Sequence, residues 1–237
     1  RFNKIVNSIR ICDPAVGSGH FLVSALNELI AIKHELGILA DKEFKPLPID
    51  LEIENDELMI TDRFDELFSY NPKSKDSQNI QETLFHEKQT LIENCLFGVD
   101  INPNSVKICR LRLWIELLKN TYYKENGELE VLPNIDINIK CGNSLISRFD
   151  IDTPISKALK KSKLKVQDYK DAVYGYKNAK SKEQKENLEN LIAEIKGNFQ
   201  SEVASNDKRL TKLVKLRGEL QTLETQDTMF ERSKAEE

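Results

Sequence analysis

The residues best placed to do chemistry stand in the run Asp13-Pro14-Ala15-Val16-Gly17-Ser18-Gly19-His20-Phe21, which follows the short apolar stretch from Ile9 to Cys12. Glycines where a strand turns into a helix let a ligand approach the backbone, and the free N–H groups of the helix start favour an anionic or polar group. A Gly-x-Gly pair alone is weak, since tight turns need glycine for geometry. A dinucleotide fingerprint would require a third glycine at position 22, where this chain has Leu22, and the run lacks the Lys-Ser/Thr ending of a phosphate-binding P-loop. Two further polar residues end apolar stretches. Asp100 closes Cys95 to Val99, and Asn143 follows Ile139 to Cys141. A carboxylate and an amide at the carboxyl ends of strands stand where open α/β sheets present ligands. Each also has a structural reading, Asp100 as a capping residue and Asn143 as a turn former after Gly142.

These groups meet only if the intervening elements bring them together. Ile9 to Cys12 and Cys95 to Val99 read as buried strands, and Ile135, Ile137 and Ile139 alternate as a third. Phe21, Leu22, Ala25, Leu26, Leu29, Ile30 and Ile32 recur at helical spacing, predicting a helix to about His34 with Gly37 as its stop. A second apolar helix is expected from Ser105 through Leu111, Leu113, Trp114, Leu117 and Leu118. Strand–helix–strand–helix–strand implies an α/β fold with parallel strands and right-handed crossovers. Residues 38–94 read as an insertion. Ile49, Leu51 and Ile53 alternate, as do Leu58 and Ile60, around Asn55-Asp56, which predicts a β-hairpin; Ser77 is expected to cap a helix through Leu84, Leu91 and Ile92.

Taken together, the three segments resemble motifs of a known family. DPAVGSGHF is similar to motif I of the gamma-class N6-adenine DNA methyltransferases, above all the type IIG restriction–methylation enzymes. FGVDINPNS resembles the family's second motif and IKCGNSLI its third, so the resemblance covers most of residues 9–147. It implies a Rossmann-like, three-layer class I methyltransferase fold that binds S-adenosylmethionine. By the same resemblance, Asp13, Pro14, Ala15, Gly17 and Gly19 line the methionine pocket, with Phe21 beside the cofactor. Asp100 then accepts the ribose hydroxyls, Ile101 faces the adenine, and Asn143, with Ser144 and Leu145, borders the adenine amino group. The implied strand order is 3-2-1-4-5, with the Ile9–Cys12 strand in the middle.

The family's Asn-Pro-Pro-Tyr segment, which holds the flipped target adenine, has no counterpart here: Asn71-Pro72 and Asn102-Pro103 do not continue with Pro-Tyr. The expectation is therefore a truncated fold, a cofactor-binding portion that transfers no methyl group by itself. Its parent would supply the catalytic segment, a target-recognition domain and, in some relatives, an endonuclease, and would act on double-stranded DNA in bacterial restriction or phage defence. The Ile9–Cys12 strand should then carry one unpaired edge, covered by a partner molecule through self-association or by part of residues 151–237. Two other readings remain open: a non-catalytic cofactor-binding module, and methylation of RNA or of a protein glutamine.

Charge divides the chain. Residues 1–150 carry 17 Lys+Arg against 24 Asp+Glu, and residues 151–237 carry 18 against 15. The overall −4 argues against a chain built wholly as a nucleic-acid clamp. In 151–237, Leu188, Leu191, Ile192 and Ile195 share a helix face, and Leu213, Leu216, Leu220 and Leu223 form a short seam. This predicts a helical hairpin joined near Ser205-Asn206, approached through a lysine-rich stretch at 157–170. Cys12, Cys95, Cys109 and Cys141 form no CxxC pair and His20, His34 and His86 no metal spacing. The expected setting is cytoplasmic, with reduced thiols, no zinc, no signal peptide and no membrane span.

Overall fold

The structure is a computed structural model and describes residues 2–135, 138–146, 165–177, 179, 181–206, 212–213 and 215–216. The chain divides into two compact units, Arg1–Ile146 and Ser147–Glu237.

The first unit is a mixed α/β body. Its elements in chain order are α1 (Phe2–Val6), β1 (Ile11–Asp13), α2 (His20–Glu35), β2 (Ile49–Glu54), β3 (Glu57–Asp62), α3 (Lys75–Asn94), β4 (Leu96–Asp100), α4 (Pro103–Leu118) and β5 (Ile139–Cys141). β1, β4 and β5 form one parallel sheet in the order β1-β4-β5, with Ile11 opposite Leu96 and Gly98 opposite Ile139. That order is the 3-2-1 half of the arrangement the resemblance implies. Among the described residues, nothing pairs with the other edge of β1.

Burial explains the helices. α2 turns Leu22, Leu26, Leu29 and Ile30 into the core, α3 turns Ile80, Leu84, Phe85, Leu91 and Ile92, and α4 turns Val106, Cys109, Leu113 and Leu117. Gly37, with φ +63°, takes the left-handed position that ends α2. Two ion pairs fasten the helices: buried Lys33 of α2 to part-buried Glu87 of α3, and, fully buried, Lys88 of α3 to Glu116 of α4 at 3.3 Å. Burial pushes the Lys88 ammonium below its ordinary value, and the Glu116 carboxylate opposes that shift.

The hairpin at 49–62 forms as the alternation predicts. β2 and β3 pair antiparallel from Ile49–Asp62 to Glu54–Glu57. Asn55 and Asp56 both have positive φ, 51° and 65°, as a two-residue turn matched to strand twist demands. The tip is docked: Asn27 Nδ2 donates to the Asp56 carbonyl at 2.8 Å, and Ser24 Oγ donates to Asp56 Oδ1 at 3.1 Å.

Several sequence expectations are corrected. The first strand is Ile11–Asp13 and not Ile9–Cys12, because the Ile9 N–H is spent on the Val6 carbonyl as α1 closes. The third strand starts only at Ile139. Asn138 occupies a buried turn, its Nδ2 donating to the carbonyls of Ile92, Glu93 and Leu96, so Ile135 is buried outside the ladder; Ile137 lies outside the described residues. α3 is capped by Ser74, which accepts the Ser77 N–H, while Ser77 Oγ accepts from Asn71 N. α4 begins at Pro103 and not Ser105: Asn102 caps it by accepting the Asn104 N–H, and proline suits the first helical position.

The second unit holds α5 (Val166–Lys177) and α6 (Lys182–Asn206), packed as a hairpin about Ala172, Tyr176, Ile192 and Ile195. The expected joint near Ser205-Asn206 is instead helical, part of α6, and the two helices are separated by the stretch between Lys177 and Lys182. α5 was hidden in a lysine-rich stretch without a clear apolar period. Leu213 and Leu216 are half exposed, while Leu220, Leu223, Lys160, Lys161 and Lys163 lie outside the described residues.

Candidate functional site

The three loops singled out in the sequence leave the same end of the parallel sheet, and hydrogen bonds tie them to one another. The first, after β1, is folded on itself. Asp13 Oδ1 accepts the Ala15 N–H at 3.0 Å, and the Gly19 N–H reaches the Val16 carbonyl at 2.8 Å. It is also fastened to β4, where Val16 N donates to the Val99 carbonyl and Gly17 N donates to Asp100 Oδ2, both at 2.9 Å. Asp100 thereby joins all three loops. Its Oδ1 accepts the Asn102 N–H at 2.7 Å, and its carbonyl accepts the Gly142 N–H at 2.9 Å at the start of the third loop.

Two glycines permit this closeness. Gly19 has φ +83°, and a Cβ there would lie 2.5 Å from Cys109 Sγ, so the start of α2 sits directly on α4. Gly98, inside β4, leaves room for Val16: a Cβ at 98 would come within 2.8 Å of Val16 Cγ2. Burial and the nearby Asp13 carboxylate push the Cys109 thiol up to about 11, so Cys109 packs there as a neutral filler. Gly98, Val16 and Cys109 were missed by sequence reasoning. A lone glycine inside an apolar strand was the available signal, since it marks close approach of another chain segment.

The remaining candidates surround this knot. α2 starts at Gly19 with no side-chain cap, which leaves its first N–H groups without the partner a Ser or Asp cap would supply. Phe21 at the start of α2, Ile101 after β4 and Leu145 in the third loop are strongly exposed, Leu145 at 92%. Pro14, Asn143 and Ser144 are exposed as well. Asn143 takes the turn-forming role that competed with ligand binding: its Oδ1 accepts the Leu145 N–H at 2.9 Å. One lone pair on that oxygen remains for another donor. Leu22, where a dinucleotide site wants glycine, is fully buried in the core.

A cleft of about 970 Å³ lies elsewhere in the first unit, lined by Asp41, Lys42, Lys45, Glu82, Tyr122 and Lys124 among others. Three of its lysines, Lys42, Lys45 and Lys124, are already paired with Glu82, Glu43 and Glu130, its lining is acidic on balance, and it holds none of the candidate residues. Among the described residues no cluster of His, Cys, Asp and Glu is fit to hold a metal, and no helix is long and apolar enough to cross a membrane. All four cysteines are free thiols, Cys95 and Cys109 buried and Cys12 and Cys141 exposed.

Comparison with known proteins follows the same residues. The chain is 35% identical over 147 residues to a putative type II restriction enzyme and methyltransferase, RM.MjaORFECS2P, of Methanocaldococcus jannaschii; the match covers 61% of this chain and 9% of that protein. It is 27% identical over 148 residues to the type II restriction enzyme and methyltransferase RM.Eco57I of Escherichia coli, covering 62% of this chain and 12% of that protein. The chain thus corresponds to a small part of the length of either relative. No solved structure matches it. The model of the MmeI DNA-methyltransferase domain matches residues 1–203, which bears out the resemblance to type IIG restriction–methylation enzymes, and the chain belongs to that family of methyltransferase domains.

Proposed function

We propose that this chain binds S-adenosylmethionine in the crevice at the carboxyl ends of β1, β4 and β5, as the cofactor-binding part of a DNA adenine-N6 methyltransferase with a Rossmann-like class I fold. The observation that carries the reading is Asp100: one carboxylate, bonded to Gly17 N and Asn102 N, stands where the three motif loops converge. The residues suit the cofactor chemically. Each Asp100 oxygen accepts one N–H and keeps a lone pair for a ribose hydroxyl. Exposed Ile101, Phe21 and Leu145 offer apolar faces for an adenine ring, and the uncapped start of α2 offers N–H groups to a carboxylate. When bound, the cofactor would supply a methyl group on a sulfonium, an electrophile that needs only an aligned nucleophile.

What these residues contribute is orientation. Because the loop from Asp13 to Gly19 is tied to β4 by its own hydrogen bonds, little order must be created on binding, and positioning is a large part of such a reaction's acceleration. On this reading, Asp13, Pro14, Ala15, Gly17 and Gly19 hold the methionine part, Asp100 and Ile101 the nucleoside, and Asn143, Ser144 and Leu145 the far edge of the adenine. The groups that hold a target adenine belong to the parent enzyme, because no Asn-Pro-Pro-Tyr run occurs in these 237 residues. Residues 1–150 then form the cofactor-binding subdomain with 38–94 inserted, and 151–237 a helical arm. Double-stranded DNA is the substrate of the parent.

Calorimetric titration with S-adenosylmethionine tests the proposal. Asp100→Ala should weaken binding by about 1.5–3 kcal/mol, one to two decades in Kd. Tight binding of NAD with none of S-adenosylmethionine would overturn it.

A further inference from the structure

α4 places apolar residues on two opposite faces with charged residues between them, a pattern that suits a helix covered on both faces. Among the described residues, one of those faces is covered. Val106, Cys109, Leu113 and Leu117 are buried against α2, α3 and the sheet. Opposite them, Ile108, Leu111, Ile115 and Leu118 are 47%, 54%, 43% and 49% exposed. Spaced three, four and three residues apart, these side chains form one continuous stripe along about three turns. A single exposed aliphatic is ordinary on a protein surface, but four in helical register make a patch of the kind that marks an interaction site.

The borders of the stripe indicate its occupant. Lys107 flanks one edge, and Arg112 and Lys119 flank the other. Lys119 is engaged by Glu116 at 2.8 Å, whereas Lys107 and Arg112 pair with no carboxylate among the described residues. An apolar ridge between basic borders suits an amphipathic helix with its own apolar residues at three- and four-residue spacing and carboxylates along both borders. A second copy of α4 suits it less, because basic borders would face basic borders in either orientation. We propose that the Ile108–Leu118 stripe is a docking face for such an acidic amphipathic helix, independent of the cofactor crevice.

The test uses two synthetic, fluorescein-labelled helical peptides of about five turns. Both carry leucines at the same three- and four-residue spacing; one has glutamates on both flanks and the other lysines. Fluorescence anisotropy on titration with the 237-residue chain should show the glutamate peptide binding about tenfold more tightly than the lysine peptide, as two or three partly desolvated charge pairs allow. Leu111→Glu should abolish that binding with an unchanged circular dichroism spectrum. Lys107→Glu combined with Arg112→Glu should reverse the preference toward the lysine peptide, a gain that an unfolded chain does not give. The proposal is overturned if the glutamate peptide does not bind, if the two peptides bind equally, or if Leu111→Glu leaves binding intact. Self-association in sedimentation that Leu111→Glu removes would make a second copy the occupant and overturn it too.

Discussion

Gly19→Ala isolates what holds the candidate cofactor loop in place. Two separate penalties act there. A side chain at φ +83° costs about 1–2 kcal/mol in the left-handed region, and about 0.4–1 kcal/mol returns because alanine has less freedom to lose from the unfolded chain. The new Cβ would also lie 2.5, 3.0 and 3.1 Å from Sγ, Cβ and Cα of Cys109, and forcing α2 off α4 adds about 1–3 kcal/mol of overpacking. Gly37 supplies the control, since its φ is +63° and a Cβ there meets nothing within 4 Å. Gly37→Ala should therefore cost about 0–1.6 kcal/mol and Gly19→Ala about 1–4.6 kcal/mol, with the difference of about 1–3 kcal/mol set by the contact, read as shifts in urea midpoint at constant m. Adding Cys109→Ala should return part of the steric cost, because the Sγ clash disappears while the backbone contact stays, a coupling of about 1 kcal/mol in a double-mutant cycle. If Gly19→Ala costs no more than Gly37→Ala, or if the Cys109→Ala double mutant is strictly additive, the close seating of α2 on α4 is wrong.

Other outcomes follow from the buried charges and thiols. Glu116→Leu leaves Lys88 buried without its carboxylate and should cost about 3–5 kcal/mol in urea unfolding, while Lys88→Met should cost less, because Glu116 keeps Lys119 at 2.8 Å. Glu116 and Glu130 are desolvated by burial, yet Lys88 and Lys119 around the first and Lys124 beside the second hold their carboxyls below the ordinary 4.5. Their folded values lie under the unfolded ones, so this stability is fully present above pH 4.5 and is lost as pH falls through the folded values; unfolding midpoints measured from pH 6 downward should decline there, and a flat profile would refute it. In the native state a thiol reagent should modify Cys12 and Cys141 rapidly, and Cys95 and Cys109 only at the rate of unfolding.

Local pattern made much of this chain legible. A period of 3.6 announced α2 and α4, and alternation around Asn55-Asp56 announced a hairpin whose turn residues do take positive φ. The run Asp13 to Phe21, with Asp100 and Asn143, pointed to the sheet end where those residues are found. Such features depend on neighbours in sequence: helical and strand periods, and the dihedral range of a turn residue.

Other features depend on contacts between distant residues, which no local pattern encodes. The third strand lost Ile135 because Asn138 has three carbonyls to satisfy, supplied by α3 and the start of β4. The caps moved to Ser74 and Asn102 because an N-cap is decided by which hydroxyl or amide reaches a free N–H, and several polar residues competed in each loop. α5 escaped notice because its covered side holds only a few apolar residues against α6, too few to set a period. That Gly98 must lack a side chain follows from Val16, 82 positions away in sequence and in contact with it only once β1 and β4 are paired. That α4 leaves an apolar stripe uncovered likewise follows from which of its faces the core uses. Residue types and spacing determined which groups were available for chemistry; only the packed chain, where distant backbone and side chains compete for the same space and hydrogen bonds, decided how closely they meet.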